Sequence, residues 1–466
     1  MHNKNPLLKL SSITEQNSSK SGSLSELWKI SWPMILAAMS NYFMTLADRM
    51  IVSKSSTDAF VAITNAHPIL WMNIRAFMAF IIMTSVSIGQ FNGAKNFLQI
   101  RKVVWQTVAI VFLYYIVLIP CALNAKIFLA DTIEELGSQY LSISLLFLPF
   151  HLAGFGAIGA FFLGIGKTKI VPKIVLFSNL LNIGLDFILI FGCGPIPALG
   201  IKGAAYATGI ADFISFVIFL CAFLRKEYRD KFQTHRPQFS FSILKRNLTI
   251  GLPNALNSLI NAGGFALVTQ IVAKCVSSEE LLAFSIASAI FSFFWFPLDG
   301  LGKGVCTLCS NYLGQNKLNL IYKLGKSVVI ALTIFTILTA IIMVIYPSFI
   351  VKLFYTEPIT GEFFKHVKWM LFWTWLALLA EGVRWMLQNT LIAANDVRYT
   401  VVSNILCFWV SAACPIIIFL YYCRVGGAVL CWQFFTVDPC CRAISNMTRL
   451  CSAKWKKKAN AIAQGL

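Results

Sequence analysis

Long uninterrupted apolar runs constrain this chain more than any other feature of its sequence. Val103–Leu123, Ile170–Phe191 and Ala331–Ile350 are each close to 20 residues, about the length that crosses the hydrocarbon core of a bilayer as an α-helix. The runs are continuously apolar and do not alternate at period two, so helices are expected rather than a β-barrel. Charged residues make up 12% of the 466, half the share that keeps a soluble surface wet. The first 27 residues are polar and show no basic segment leading into an apolar core and a cleavage site. No removable signal peptide is expected, and the apolar segment from about Ile30 reads as an uncleaved anchor.

The formal charge is +20, a balance that in a soluble protein points to nucleic acid. Here the cations collect in alternate loops: Lys95/Arg101/Lys102, Lys167/Lys169/Lys173, Arg225–Arg246, Lys317/Lys323/Lys326 and Lys454–Lys458. The loops between them hold scattered ones, such as Lys54, Lys126, Lys202 and Lys274. This is the positive-inside pattern. It accounts for the charge without nucleic acid, puts both termini in the cytoplasm and requires an even number of spans. Of the 13 cysteines, most lie in apolar runs, where a free thiol packs as a small hydrophobe. Cys306 and Cys309 have metal or redox spacing but lack a second pair or a nearby His.

The expected spans are 30–52, 60–90, 103–124, 139–164, 170–192 and 200–224, then 247–273, 281–313, 327–350, 366–393, 399–422 and 425–450. They divide the chain into an N-terminal tail (1–27), an N-lobe (28–224), a charged cytoplasmic connector (225–246), a C-lobe (247–450) and a basic C-terminal tail (451–466). The halves repeat. Trp32-Pro33 opens the first span as Leu252-Pro253 opens the seventh, so Asn41 aligns with Asn261. The second and eighth spans are both long and end in Gly93-Ala-Lys and Gly314-Gln-Asn-Lys. Gly166–Lys169 precedes the fifth as Asn395–Arg398 precedes the eleventh, and Gly203-Ala matches Gly427-Ala. A repeat with an even number of spans keeps its orientation, so the copies are related by an axis along the membrane normal, with a ligand site at their interface.

Taken in order, the Trp-Pro opening, Ser87-Ile-Gly-Gln-Phe-Asn-Gly-Ala94, Leu181-Asn-Ile-Gly-Leu-Asp-Phe-Ile-Leu-Ile-Phe-Gly192 and Gly200-Ile-Lys-Gly-Ala-Ala-Tyr-Ala-Thr208 resemble the multidrug and toxic compound extrusion (MATE) family. The resemblance covers about residues 24 to 450 and is most specific over 164–210. It implies an all-α polytopic fold of about twelve transmembrane helices in two pseudo-symmetric six-helix lobes. It also implies an antiporter that moves organic, often cationic, compounds out as H⁺ or Na⁺ moves in.

A charge at bilayer depth costs roughly 2.5 kcal/mol or more, so intramembrane acids are the first candidates for function. They are Asp48, Asp186 and Asp212 in the first half, and Asp299, Glu381 and Asp438 in the second. Asn182 and Asp186 are spaced i, i+4 and share a helix face. An amide oxygen beside a carboxylate suits Na⁺, and the same carboxylate can carry a proton; the plainer role of the two is to satisfy each other or a neighbouring helix. The resemblance assigns the cation site to Asp48, Asn182, Asp186, Ala204 and Thr208. Arg75, unexpected inside a span, is expected to neutralise Asp48 or Asp186. Glu381 and Arg384, at i, i+3, read as a structural ion pair. Asp299, in Pro297-Leu-Asp-Gly300, reads as a cap at a helix break. Asp438-Pro439 with Arg442 marks the last span as short or kinked.

Two other readings compete. A flippase for lipid-linked sugars shares the two-lobed architecture, but would need a basic cavity, and Arg75, Lys303 and Arg384 are the few basic residues at depth. An enzyme is not expected, given the lack of His-Glu-x-x-His and Gly-x-Ser-x-Gly motifs and the five scattered histidines. A small-molecule substrate, a lipid surround, no cofactor and a monomer are expected.

Overall fold

The computed structural model describes residues 21–129, 134–349, 361–424 and 426–465. Most of the N-terminal tail, the last residue of the expected ninth span and Val425 lie outside them. Among the described residues twelve long helices run in chain order. The first six are α1 (Leu24–Ser55), α2 (Thr57–Gly93), α3 (Phe97–Leu113, continued by Tyr115–Leu123), α4 (Glu134–His151, a π turn Leu152–Ile158, then Gly159–Gly164), α5 (Ile170–Phe191) and α6 (Ile201–Phe223). After a short helix, Lys226–Phe232, come α7 (Phe241–Cys275), α8 (Ser278–Gly314), α9 (Leu318–Ala340 and a π turn Ile341–Ile345), α10 (Gly361–Ala393), α11 (starting as Val397–Phe408 and running to Tyr422) and α12 (Ala428–Cys451).

Ten of these are long and apolar enough to cross a membrane. α1 and α12 are of similar length but diluted by polar residues: Asn41, Asp48 and Arg49 in one, Asp438, Arg442 and Arg449 in the other. Two expectations fail here. The last span is not short: Pro439 lies inside a continuous helix of 24 residues, and Asp438 is paired with Arg442 at 2.7 Å. Nor does Pro297-Leu-Asp-Gly300 break α8. Asp299 caps nothing; it pairs with Lys303 one turn on, at 2.7 Å.

The repeat appears as shared local chemistry. Ser56 and Ser277 cap α2 and α8 through side-chain oxygens that accept from the third residue beyond, each at 3.3 Å. At the opposite end, α2, α4, α8 and α10 all stop in the same way. A left-handed residue follows each, Lys95, Gly166, Asn316 and Asn395. The next amide then reaches back five residues: Asn96 to Phe91, Lys167 to Phe162, Lys317 to Tyr312 and Asp396 to Leu391, all at 2.9 Å. That 6→1 bond satisfies carbonyls that would otherwise be orphaned at the helix end.

One apolar core lies within the last six helices and two are built mainly from the first six, while a fourth spans the halves, joining Leu27, Met83 and Val86 to Leu301, Val305, Leu313 and Trp455. The halves meet where α1 packs along α8, and α2 along α7 and α8. At the end bearing the basic loops they are locked. Gly89, Gly93 and Gly314 let α2 and α8 approach until a Cβ would strike Ser310, Asn311 and Gln90. Asn92 donates to Asn311 at 2.7 Å, Asn311 to the Gly164 carbonyl at 2.8 Å, and Gln90 to the Ala393 carbonyl at 2.9 Å.

The C-terminal helix Ala453–Gly465 folds back on this end. Trp455 is buried, and the side chain of Asp396 receives Arg449 Nε at 2.6 Å and Lys458 Nζ at 2.6 Å. Burial alone would raise the Asp396 carboxyl, but the hydrogen bonds and charges of Arg449 and Lys458 outweigh it and hold it below its ordinary value. The anchor is therefore complete above the usual aspartate range, about pH 4, and weakens as the pH falls below it. Asp396→Asn is expected to speed tryptic cleavage at Lys454–Lys458 at neutral pH by about tenfold or more, since one partner of a buried pair is left uncompensated. An unchanged cleavage rate would contradict the anchoring role.

Candidate functional site

Five elements of the first half converge on one polar cluster. Asp48 comes from α1, Asn182 and Asp186 from one face of α5, and Ala204 and Thr208 from one face of α6. Asp48, Ala204 and Thr208 line a narrow recess with Thr45, Arg49, His67 and Tyr140, the last two from α2 and α4. In the amide orientation that satisfies its neighbours, Asn182 donates to Asp48 Oδ1 at 2.8 Å, and its oxygen faces the Thr208 amide and hydroxyl at 3.2 Å. The Thr208 hydroxyl also lies 3.2 Å from the Ala204 carbonyl. The five residues singled out in the sequence thus lie together.

Asp186 is fully buried. Among the described residues neither of its carboxylate oxygens meets a hydrogen-bond donor. The carboxyl of Asp48 comes within hydrogen-bonding reach of it, but two carboxylates are both acceptors and can bond only by sharing a proton. The pair therefore carries excess negative charge in a place where an unpaired charge is costly. One proton between the carboxyls, or one small cation held by oxygens of Asp48, Asp186, Asn182 and Thr208, balances it. The donors are all oxygen, the ligand type of hard cations.

Arg49, His67, Thr45 and Tyr140 carry no motif and were not legible as site residues. Arg49 Nη2 lies 3.3 Å from His67 Nδ1, which draws the guanidinium towards α2. One turn before Asn182, Asn179 donates to Ser40 at 2.7 Å and to Asn41 at 3.1 Å, tying α5 to α1. The i, i+3, i+7 stripe Asn179–Asn182–Asp186 is the one signal that points to it.

Arg75 is not part of this cluster. It crosses to the second half, with its guanidinium 5.3 Å from the centre of the Trp295 ring, and the acids acting on it are Asp299 and Glu381. The expectation that it neutralises Asp48 or Asp186 fails because its position on α2 faces α8 instead. There, charges are balanced locally. Glu381 forms an ion pair with Arg384 and accepts from Trp295 Nε1 at 3.2 Å. Arg384 also reaches Gln388. Arg442 holds Asp438 and donates to Asn261 at 3.3 Å. Between the two halves, Tyr42 meets Phe293 edge-on and Phe296 at a tilt, at 5.8 and 5.3 Å between ring centres.

The MatE family profile matches residues 33–188 and 253–417, one segment in each half. This chain belongs to the MatE family of multidrug efflux transporters. It is 25% identical over 395 residues to the probable multidrug resistance protein YoeA of Bacillus subtilis, covering 81% of this chain and 82% of that one. It is 22% identical to the probable multidrug resistance protein NorM of Thermotoga maritima, covering 93% of each. Its fold matches an outward-facing multidrug resistance MATE transporter with a TM-score of 0.81 at 18% identity, over 95% of this chain and 97% of that one. It matches the eukaryotic MATE transporter AtDTX14 equally well, with a TM-score of 0.81 at 18% identity, over 94% and 98%. The MatE chain is thus a multi-pass membrane transporter with two lobes, α1–α6 and α7–α12.

Glu381→Gln tests the balance of charge in the C-lobe. It leaves Arg384 buried with one neutral partner, and breaking such a pair costs about 3–5 kcal/mol. Purified protein is expected to unfold at a clearly lower temperature. Unchanged stability would contradict the structural assignment.

Proposed function

We propose that this MatE chain is a secondary antiporter. It exports organic, amphipathic compounds, cations included, as H⁺ or Na⁺ enters through the Asp48–Asp186 site. The observation that carries the reading is the buried Asp186 carboxylate, which lies beside Asp48 and lacks a protein donor among the described residues. A ligand shifts a conformational equilibrium only by binding the two states differently. A carboxyl pair whose charge is balanced only when a cation occupies it has that property. Occupied, it lets α1, α5 and α6 close; emptied, it draws water and favours a looser lobe. The relatives' names, probable multidrug resistance proteins, support export of organic compounds. The aromatic contact of Tyr42 with Phe293 and Phe296 supports a cleft between the lobes that accepts flat apolar surfaces.

In this reading the basic loops face the cytoplasm of a cell membrane, both termini lie there, and one chain suffices for transport. A flippase for phosphate-linked lipids is disfavoured because Lys303, Arg384 and Arg442 are each spent on an acid of the same helix.

The test uses purified protein in vesicles, ethidium as the transported probe, and proton and sodium gradients imposed separately. Asp186→Asn keeps the shape and removes the charge, so gradient-driven export is expected to fall to background while the protein remains folded. Asn182→Ala, which loses a neutral ligand, is expected to slow export by about tenfold. Export by Asp186→Asn at the wild-type rate would overturn the site.

A further inference from the structure

Outside the Asp48–Asp186 site the N-lobe holds a second ionisable pair that the proposed function does not use. His151, the last residue of the first segment of α4, places Nδ1 2.9 Å from Asp212 Oδ1 on α6. The pair is connected to the site by helix periodicity. Ala204, Thr208 and Asp212 follow at i, i+4, i+8 on one face of α6, and Tyr140, Ser144 and His151 at i, i+4, i+11 on one face of α4. Ala204, Thr208 and Tyr140 line the recess at Asp48. On α5, between them, Asn179 and Asn182 lead back from Asp186, and Ser178 donates to the Ala211 carbonyl at 3.2 Å. On α5 and α6 polar side chains thus recur turn by turn from the carboxyl pair towards the end bearing the basic loops, about 5.4 Å apart; on α4 two turns separate Ser144 from His151.

Three features set the pair apart from a packing contact. His151 and Asp212 keep 24% and 22% of their side-chain surface accessible, while Leu148, Leu152 and Ala211 beside them are buried. A π turn, Leu152–Ile158, begins directly after His151, and such turns concentrate at functional sites. Among the groups on α2, α3 and α6 that pack against this part of α4, Asp212 is the one whose charge acts on His151, and Asp212 acts in turn on Asp48.

We propose that the His151–Asp212 pair is the second holding point for a coupling proton, between the Asp48–Asp186 carboxyls and the side of the membrane facing the basic loops. The inference rests on the antiport reading and deepens it by naming the ion. The proton shared by Asp48 and Asp186 leaves them, and the pair returns to its fully ionised state. The imidazole nitrogen that does not face Asp212 accepts the proton, giving an imidazolium beside the Asp212 carboxylate. Loss of that proton to water restores neutral imidazole. Histidine suits the step because its charge changes near neutral pH, and intramembrane His and Asp form such relays.

The experiment measures ethidium export from vesicles under a proton gradient, a sodium gradient or both, across about pH 5–8, the range in which imidazole titrates. Wild-type protein is expected to respond to the proton gradient with an inflection in this range. His151→Gln, which keeps size and hydrogen bonding, is expected to lose the inflection and at least about tenfold in rate, at the lower end of what a positioned proton carrier contributes. Asp212→Asn should match it, and Asp212→Glu should restore part of the rate and the inflection; a purely structural contact would not give this pattern. If His151→Gln keeps the wild-type profile, the relay is wrong and the antiport reading stands. If wild-type protein responds to sodium alone, the relay is likewise overturned. If it responds to neither gradient, both readings fall.

Discussion

The absence of water in a bilayer governs this protein. Each charge carried into the hydrocarbon must find its partner within the fold, because no solvent is there to supply one. The second lobe meets the demand by local pairing: Asp299 with Lys303, Glu381 with Arg384, Asp438 with Arg442. Each pair is made within one helix, so it survives any rigid movement of the lobe. The first lobe does not meet the demand in the same way. Asp186 is brought against Asp48, charge against like charge, and Asn182 and Thr208 supply only neutral dipoles. The pairing of like charges is confined to one lobe, and in the proposed function a coupling cation offsets it.

This asymmetry is laid over a symmetric frame. The caps at Ser56 and Ser277 and the four matched helix ends at Lys95, Gly166, Asn316 and Asn395 show that both halves follow one plan. The plan fixes where α2 and α8 approach, and glycines there let the halves lock at a single end. A lock made of amide hydrogen bonds and backbone contact can be made and broken without moving a charge. The lock and the Asp48–Asp186 pair are thereby separate in space, and α1, which carries Asp48 and also packs along α8, connects them.

Much of this was legible in the sequence, for physical reasons. Span length and loop charge are set by the bilayer, so they appear as composition. The i, i+4 spacing of Asn182 and Asp186 is imposed by the helix, so the α5 part of the site could be read directly. What could not be read depended on which way a helix face turns. Arg75 was expected at the acids of its own half and lies instead against Trp295 of the other. Asp299 looked like a cap beside a proline, yet α8 is continuous and the residue is one half of an ion pair. Proline in a membrane helix is tolerated where neighbouring helices and side chains satisfy the freed carbonyl, so the Asp438-Pro439 step misled in the same way. Tyr140 and His67 reach the recess from α4 and α2, His67 beside Arg49 at 3.3 Å, and no motif in the chain announces either.

The central claim is that the Asp48–Asp186 pair holds the coupling cation. It is tested most directly without any substrate, by counting the protons and sodium ions that purified protein takes up as pH and sodium concentration are varied. The account predicts that Asp186→Asn binds one cation fewer per molecule than the wild type, while Glu381→Gln, in whatever fraction remains folded, binds the same number. An Asp186→Asn protein that takes up the wild-type number of cations would contradict it.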